Sequence, residues 1–284
     1  MSIQRVYSKN AAYQKFEVLK TNRNKRYRYN AFFVEGVRNI NEAIASGWTI
    51  QSFLYCPDRA LSHWAQDILH SVSTEVNYEL SDALMRELSG KEDTSELLAV
   101  VQMRDDRLED VKLSDNPVIA LFDRPSNKGN LGTIIRSCDS FGLDCLLITG
   151  HAVDLYEPDV VSSSMGSFFN VHTVRVEDND YLDRYLDDLK RRYPNLQIVG
   201  TTAHHETRID QVDFTRPTVI MIGNETMELN KAFKEKCDVL ATIPMSACSS
   251  ASSFNVGCAA TVCFYEIVPP AAVNDRRLSD RTAS

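Results

Sequence analysis

The stretch VIALFDRPSNKGNLGTIIRSCDSFG, residues 118–142, decides the architecture of this 284-residue chain. It opens with five apolar residues, Val118–Phe122, short and β-branched enough for a strand covered on both faces. Pro125, Gly129 and Gly132 then permit a tight turn, and Asn130 is placed to cap a helix. Leu131, Ile134, Ile135, Cys138 and Phe141 follow at helical spacing and predict an inward face. Arg136 falls on another face. Strand, turn and helix form the repeating unit of a parallel α/β domain, where ligand sites arise at the ends of strands.

Outward from this stretch the unit recurs. Cys145–Thr149, Gln197–Gly200, Thr218–Ile222 and Val239–Ile243 are further apolar runs of strand length. Helices are predicted over Leu131–Phe141, Tyr181–Arg192 and Glu228–Lys236. A last one, Ser253–Val268, is apolar nearly all round, which predicts burial in a core or a subunit interface. Before residue 104 helix and strand alternate on a smaller scale: helices at Ala11–Leu19, Val37–Ser46, Ser62–Ser71 and Ser81–Leu88, strands at Phe32–Glu35, Ile50–Tyr55 and Leu97–Gln102. Gly47 is a natural stop for the second helix. Residues 104–116, RDDRLEDVKLSDN, are highly charged and read as a connection. The expected organisation is a domain at 1–105, a linker at 106–116, a larger domain at 117–270 and a disordered tail at 271–284.

The net charge is −8. That argues against a protein that coats nucleic acid, but the charge is unevenly spread. Residues 1–30 carry Arg5, Lys9, Lys15, Lys20, Arg23, Lys25, Arg26 and Arg28 against Glu17 alone, a net +7, which leaves −15 on residues 31–284. A basic end on an acidic body suits a protein that meets a polyanion at one place. Within it, Arg23, Lys25, Arg26 and Arg28 interleave with Tyr27 and Tyr29, a pattern suited to looped or single-stranded RNA; a solvated basic loop is the alternative. No apolar run reaches the length of a membrane span, and the polar N-terminus argues against a secretory signal. Seven scattered cysteines without a Cys-x-x-Cys pair point to reduced, mostly buried cytoplasmic thiols and no metal site.

Three segments at strand ends carry polar groups. After Val118–Phe122, Arg136 lies one and a half turns beyond Asn130, where a phosphate or ribose contact is favourable; a surface arginine paired with Asp139 or Asp123 is the alternative. After Thr218–Ile222 comes GNETMELN, residues 223–230. There Gly223 lets a ligand approach the backbone, and Glu225 suits a helix start. After Val239–Ile243 comes PMSACSSASSFNVGCAA, residues 244–260, with hydroxyls and Asn255 above an apolar helix. For the last two, loops and caps are the alternative reading.

Together, in this order and spacing, the segments resemble the three motifs of the SpoU (TrmH) branch of the SPOUT methyltransferases. The matches are Asn130, Gly132 and Arg136 in the first, Gly223, Asn224 and Glu225 in the second, and Ile243, Pro244, Met245, Ser253, Phe254 and Asn255 in the third. Within the branch the chain resembles the avilamycin-resistance type of 23S rRNA 2′-O-methyltransferase. Residues 22–48 also resemble the branch's substrate-binding domain. The resemblance implies an α/β methyltransferase domain with a deep trefoil knot, an exception to unknotted chains. A smaller ribosomal-protein-like α/β/α RNA-binding domain precedes it. It implies a cytoplasmic homodimer that moves a methyl group from S-adenosylmethionine to a ribose 2′-hydroxyl of RNA, ribosomal most of all, with transfer RNA as the other class. The methyl donor is expected against Thr201, Thr202, Met221, Ile222, Gly223, Ile243, Met245, Ser253 and Phe254. The catalytic set implied is Arg136, Asn130, Glu225, Ser253 and Asn255. Arg136 would hold a phosphate and stabilise the developing alkoxide, because a guanidinium is a poor base; the phosphate or Glu225 would accept the proton.

Two positions depart from the family pattern. Glu228 and Ala247 stand where glycines are usual, and the loop before Ser253 is about two residues longer. A glutamate at 228 costs energy if its φ is positive. The alternative function is therefore an RNA-binding dimer with a degenerate methyl-donor site. An enzyme on a nucleotide cofactor is a third class, disfavoured because neither Gly-x-Gly-x-x-G after a strand nor a Gly-Lys-Ser/Thr loop is present.

Overall fold

The computed structural model describes residues 2–89, 93–203 and 207–268. The tail predicted from residue 271 lies outside them. The chain forms two compact units: residues 1–105 with 154–170, and residues 106–153 with 171–284.

The first unit runs β1 (Ser2–Val6), α1 (Ala11–Thr21), α2 (Arg23–Tyr29), β2 (Ala31–Glu35), α3 (Val37–Ala45), β3 (Ile50–Tyr55), α4 (His63–Ser71), β4 (Val76–Leu80), α5 (Asp82–Ser89) and β5 (Leu97–Gln102). Its five strands lie in the order β1-β4-β3-β5-β2. β5 runs antiparallel to both its neighbours, and β4 runs parallel to β1 and β3. The predicted helices start where side chains can cap them: Asn10 Oδ1 accepts from the Tyr13 amide at 3.1 Å. Tyr13, Phe16 and Leu19 then share one buried face of α1. β1 and β4 escaped the sequence reading. β1 has four exposed residues of five, so it lacks the apolar run that marks a buried strand.

α2 corrects one sequence expectation. The basic segment is a helix capped by Asn22, whose side chain accepts from the Lys25 amide, and closed by Asn30 in the left-handed region. That geometry turns Arg26 inward, to 1% exposure. Its Nε donates to Asp154 and its Nη2 to Glu157, both at 2.6 Å, and its Nη1 donates to the carbonyls of Leu19 and Lys20. Arg26 is therefore a core residue and leaves the RNA-facing set. Arg23, Lys25, Tyr27 and Arg28 stay at least partly accessible.

Its partners explain why residues 154–170, expected in the larger domain, belong to this unit. Besides Asp154 and Glu157, they bring Tyr156, Phe168 and Phe169 into a cluster with Phe32 and Trp48. Trp48 Nε1 donates to the Phe169 carbonyl at 3.0 Å. A buried guanidinium and two large rings need cover that residues 1–105 do not supply.

The second unit holds β6 (Val118–Asp123), α6 (Lys128–Phe141), β7 (Cys145–Thr149), β8 (Thr173–Val176), α8 (Asn179–Arg192), β9 (Gln197–Thr201), β10 (Thr218–Ile222), α9 (Lys231–Lys236), β11 (Val239–Ala241) and α10 (Val256–Ile267); α7 (Pro158–Ser163) belongs to the first unit. Its sheet has the order β11-β9-β10-β6-β7-β8, and every pairing is parallel. The residues read as a linker are part of this unit, since Leu108 and Val111 are buried in its core with Ile119 and Leu147.

The strand order reverses between β6 and β10. The chain steps from β6 outward through β7 and β8, then returns to build β9, β10 and β11 on the other side. Such a reversal opens a crevice at the carboxyl ends of the two central strands, the usual ligand site of an open parallel sheet. The segment after β6 and the segment after β10 flank it.

α10 packs on α6. A Cβ at Gly257 would stand 3.1 Å from Thr133 Cγ2, and Ser137 and Thr261 share a hydroxyl hydrogen bond of 2.7 Å. Ala260, Cys263, Phe264 and Ile267 are buried, while Val262 and Tyr265 remain exposed. All seven cysteines are free; Cys56, Cys138, Cys145 and Cys263 are buried, and Cys248 and Cys258 are exposed. Burial pushes the Cys263 thiol up to about 12.

Candidate active site

A cavity of about 370 Å³ opens at the carboxyl ends of β9, β10 and β11. Three segments wall it: Thr201–Ala203 after β9, Gly223–Glu228 after β10, and Ala241–Met245 with Ser252–Phe254 leading into α10. Of the nine residues expected against a methyl donor, Thr201, Thr202, Gly223, Ile243, Met245, Ser253 and Phe254 line it. Met221 and Ile222 do not. Both are buried in β10, where Met221 packs in the core and its carbonyl accepts from Thr201 Oγ1 at 3.1 Å. Two carboxylates, Glu225 and Glu228, face the cavity, and no lysine or arginine is among its described lining residues.

The segment after β10 is a tight hairpin. Asn224 and Glu228 exchange backbone hydrogen bonds of 3.1 and 3.2 Å. Asn224 Oδ1 accepts from the amides of Thr226 and Met227, which fixes the turn. A Cβ on Gly223 would stand 2.2 Å from the Leu229 nitrogen. The hairpin's own return therefore requires a glycine at 223, which also lines the cavity. Glu228 has φ +55, so the expected cost of replacing a glycine is real. Its carboxylate pairs with Lys234 at 2.9 Å.

Glu225 ties this hairpin to the segment after β6. Its Oε2 accepts from the Ser126 amide at 3.0 Å and the Ser126 hydroxyl at 2.7 Å. Its Oε1 accepts from the Asn127 amide at 3.0 Å and Asn130 Nδ2 at 3.4 Å. Burial works to raise the Glu225 carboxyl, but these donors outweigh it and hold the group below its ordinary value. A carboxylate so placed is a clamp and a poor proton acceptor. This corrects the expectation that it could serve as base.

Asn127, and not Asn130, caps α6, accepting from the Asn130 amide at 3.0 Å. Asn130 sits in the first turn, where its side chain bridges: Nδ2 to Glu225, and Oδ1 accepting from Asn255 Nδ2 at 3.1 Å. Asn255 in turn caps α10 through Oδ1, which accepts from the amides of Gly257 and Cys258. Asn130, Glu225 and Asn255 thus form one chain of hydrogen bonds through all three segments. Ser253 is exposed at the cavity mouth. Arg136 is exposed two helical turns into α6, and among the described residues neither Asp139 nor Asp123 pairs with it.

Sequence reasoning missed Asp123, Arg124, Ser126 and Asn127. Asp123 is 1% exposed and accepts from Arg124, from Thr149 Oγ1 and from the Asn230 amide. A charged residue closing an apolar strand was the available signal. Among the described residues no group of three or more His, Cys, Asp or Glu is arranged to hold a metal ion, and no described helix is long and apolar enough to cross a membrane.

Comparison with known proteins agrees with this arrangement. Residues 117–265 match the model of the SpoU rRNA Methylase family, and residues 10–99 match the SpoU L30e-like domain. A 23S rRNA (uridine(2479)-2′-O)-methyltransferase of Streptomyces viridochromogenes is 39% identical over 280 residues, covering 99% of this chain and 95% of that protein. A 23S rRNA (guanosine(2553)-2′-O)-methyltransferase of Bacillus subtilis is 25% identical, over 85% of this chain and 90% of that protein. The crystal structure of the SpoU methyltransferase AviRb from Streptomyces viridochromogenes, in complex with the cofactor AdoMet, superposes with a TM-score of 0.85. It is 39% identical and covers 94% of this chain and 98% of that one. Motifs, sheet order and near full-length similarity converge: the chain belongs to the SpoU rRNA methylase family.

Proposed function

We propose that this protein methylates a ribose 2′-hydroxyl of structured RNA, ribosomal RNA above all, with S-adenosylmethionine as methyl donor. The observation that carries the reading is the cavity behind the Asn130–Glu225–Asn255 chain. Its volume lies within the range of about 300–1,000 Å³ usual for small-molecule sites. Its lining matches the donor's chemistry. Ile243, Met245 and Phe254 supply apolar surface for a purine, and no lysine or arginine among the described lining residues repels a ligand bearing a sulfonium and an ammonium. The relatives named above are rRNA 2′-O-methyltransferases, and the AviRb crystal holds AdoMet.

When bound, S-adenosylmethionine supplies an electrophilic methyl group for in-line displacement. The protein must then present the hydroxyl oxygen and manage its proton. Arg136 carries a guanidinium and is exposed on α6, so it is placed to grip a phosphate and to stabilise the developing alkoxide. Glu225, already satisfied by four donors, holds the first and second segments in register, and the hydroxyl proton passes to solvent as the oxygen–methyl bond forms and the sulfur–methyl bond breaks. Asn130 and Ser253 present hydrogen-bonding groups to the ribose, while Asn255 orients Asn130. Arg23, Lys25, Tyr27 and Arg28 of the first unit supply the RNA-facing surface.

The remaining family features have support of the same kind. Ala241 and Thr242 are flanked on both edges. The Thr202 amide donates to the Ala241 carbonyl at 3.0 Å; on the other edge Thr242 bonds Thr207 and Ile209, each at 2.9 Å. The knot is supported by the match of residues 117–265 to the SpoU family. Val262 and Tyr265 leave exposed apolar surface on α10, which supports a homodimer. Calorimetric titration with S-adenosylmethionine tests the enzyme reading against an RNA-binding dimer. Micromolar binding is expected, and no heat at millimolar ligand would refute the reading. A monomeric mass by light scattering would refute the dimer.

A further inference from the structure

Four non-glycine residues among those described have positive φ: Asn30, Arg124, Met165 and Glu228. Two of them touch. Arg124, at φ +50, donates from Nη2 to the carbonyl of Glu228, at φ +55, over 3.2 Å. We infer that Arg124 is a positioning residue for methyl transfer, one that sets the cavity wall by gripping the hairpin after β10 at both its ends. The inference rests on reading the cavity as the methyl-donor site.

The grip has two points. Asn224 and Glu228 are the residues that close the hairpin, and Arg124 holds each. Its carbonyl accepts from Asn224 Nδ2 at 2.6 Å, and its guanidinium holds the Glu228 carbonyl. Behind it stands an anchor. Asp123, buried at the end of β6, receives Arg124 Nε at 2.9 Å and Nη2 at 2.8 Å, and it also receives the Asn230 amide beyond the hairpin. The stem of Arg124 is confined as well, because a Cβ at Gly150 would stand 2.6 Å from its Cγ. The backbone is fixed to β7 through the Arg124 amide and the Thr149 carbonyl at 3.1 Å.

Left-handed backbone at arginine and glutamate persists only where the surroundings over-determine it, and such strain gathers at ligand sites. Here each strained residue holds the other. Arg124 does not line the cavity, whereas Gly223, Asn224, Glu225 and Glu228 do. Without the guanidinium the hairpin keeps the Glu225 clamp, the Asn224 bond to the Arg124 carbonyl and the Asn230 bond to Asp123, but it loses the hold on the Glu228 carbonyl and shifts at that end. The cavity wall then moves, while α6 and Arg136 stay in place.

The test compares the full-length wild type with Arg124→Gly, Arg124→Ala and Arg124→Lys. Its readouts are calorimetric Kd for S-adenosylmethionine, melting temperature, affinity for bulk ribosomal RNA, and initial rates at saturating donor. Loss of a charge-assisted hydrogen bond predicts a rise in Kd and in the donor KM of about tenfold for Gly and Ala. The Lys variant, which keeps the charge but not the fork, should rise by about threefold. RNA affinity and the rate at saturating donor should stay within about twofold of wild type, a resolution set by the free energy of one weak contact. Arg124→Gly should melt above Arg124→Ala, since glycine adopts this backbone without strain. Wild-type Kd and KM in the folded Gly and Lys variants would overturn the inference, as would a loss of RNA affinity equal to the loss of donor affinity. Failure of the wild type to bind the donor would instead refute the cavity reading, and the inference with it.

Discussion

Asn255 donates from Nδ2 to Oδ1 of Asn130 at 3.1 Å while its own Oδ1 caps α10 through the amides of Gly257 and Cys258. One amide side chain thus starts a helix and orients the first motif, and the two roles separate by mutation. Asn255→Asp keeps the capping acceptor but cannot donate to Asn130. It should melt near wild type and transfer methyl at least tenfold more slowly, the cost of about 1.4 kcal/mol at the barrier. Asn255→Ala should lose the cap as well, at about 1 kcal/mol of stability. Denaturant melts beside initial rates check both; equal rates for wild type and Asn255→Asp would remove Asn255 from the site.

Arg136→Ala should abolish methyl transfer and leave donor binding nearly intact. The side chain is exposed on α6 and does not line the cavity. A fall in donor affinity parallel to the fall in rate would place Arg136 in the cofactor site instead.

On the proposed function the basic helix α2 divides into an RNA-facing set and a core residue, Arg26. Replacing Arg23, Lys25 and Arg28 with Ser should weaken RNA binding and flatten the slope of log affinity against log salt by about 0.7 per lost contact on single strands. Folding should be little changed. Arg26→Ala should do the opposite, because it strands the buried carboxylate of Asp154; breaking a buried pair from one side costs about 3–5 kcal/mol. A salt titration of RNA binding and a thermal melt on both variants test the division. An unchanged slope in the triple variant would move the RNA surface elsewhere.

Glu225 links stability to pH. Its folded carboxyl lies below its ordinary value, so its contribution is present above the unfolded pKa of about 4.3 and is lost as the pH falls through the folded value. Glu225→Gln should therefore be less stable than wild type at neutral pH, and the difference should shrink on acidification below that point. Melting curves from pH 7 to pH 3 give the comparison. A difference independent of pH would mean that the charge of Glu225 contributes nothing to the clamp.

Local pattern was enough for the larger unit. The apolar runs at 118–122, 145–149, 197–200 and 218–222 became β6, β7, β9 and β10, because a strand buried on both faces must be apolar throughout. The three motifs were visible for a related reason. Each lies just after such a strand, where side chains are free to carry chemistry. β8, four residues long, was missed, as were the polar β1 and β4, since short or half-exposed strands leave little periodicity to read.

The resemblance of three motifs to the SpoU family was sufficient to propose Arg136, Asn130, Glu225, Ser253 and Asn255, and nine donor positions of which seven line the cavity. Tertiary structure alone assigned their work. Arg26 has the same charge and neighbours as Arg23 and Arg28, yet its partners lie 128 and 131 positions away, and only the folded chain withdraws it from solvent. Glu225 reads as a base until Ser126, Asn127 and Asn130, 95 to 99 positions earlier, claim both its oxygens. Arg124 shows nothing along the chain, because its role depends on the Glu228 carbonyl 104 positions on. Composition and periodicity report which residues are buried and in which elements. The state of a charged side chain depends on which distant groups the fold brings within 3 Å of it, and that distance is set only when the elements pack.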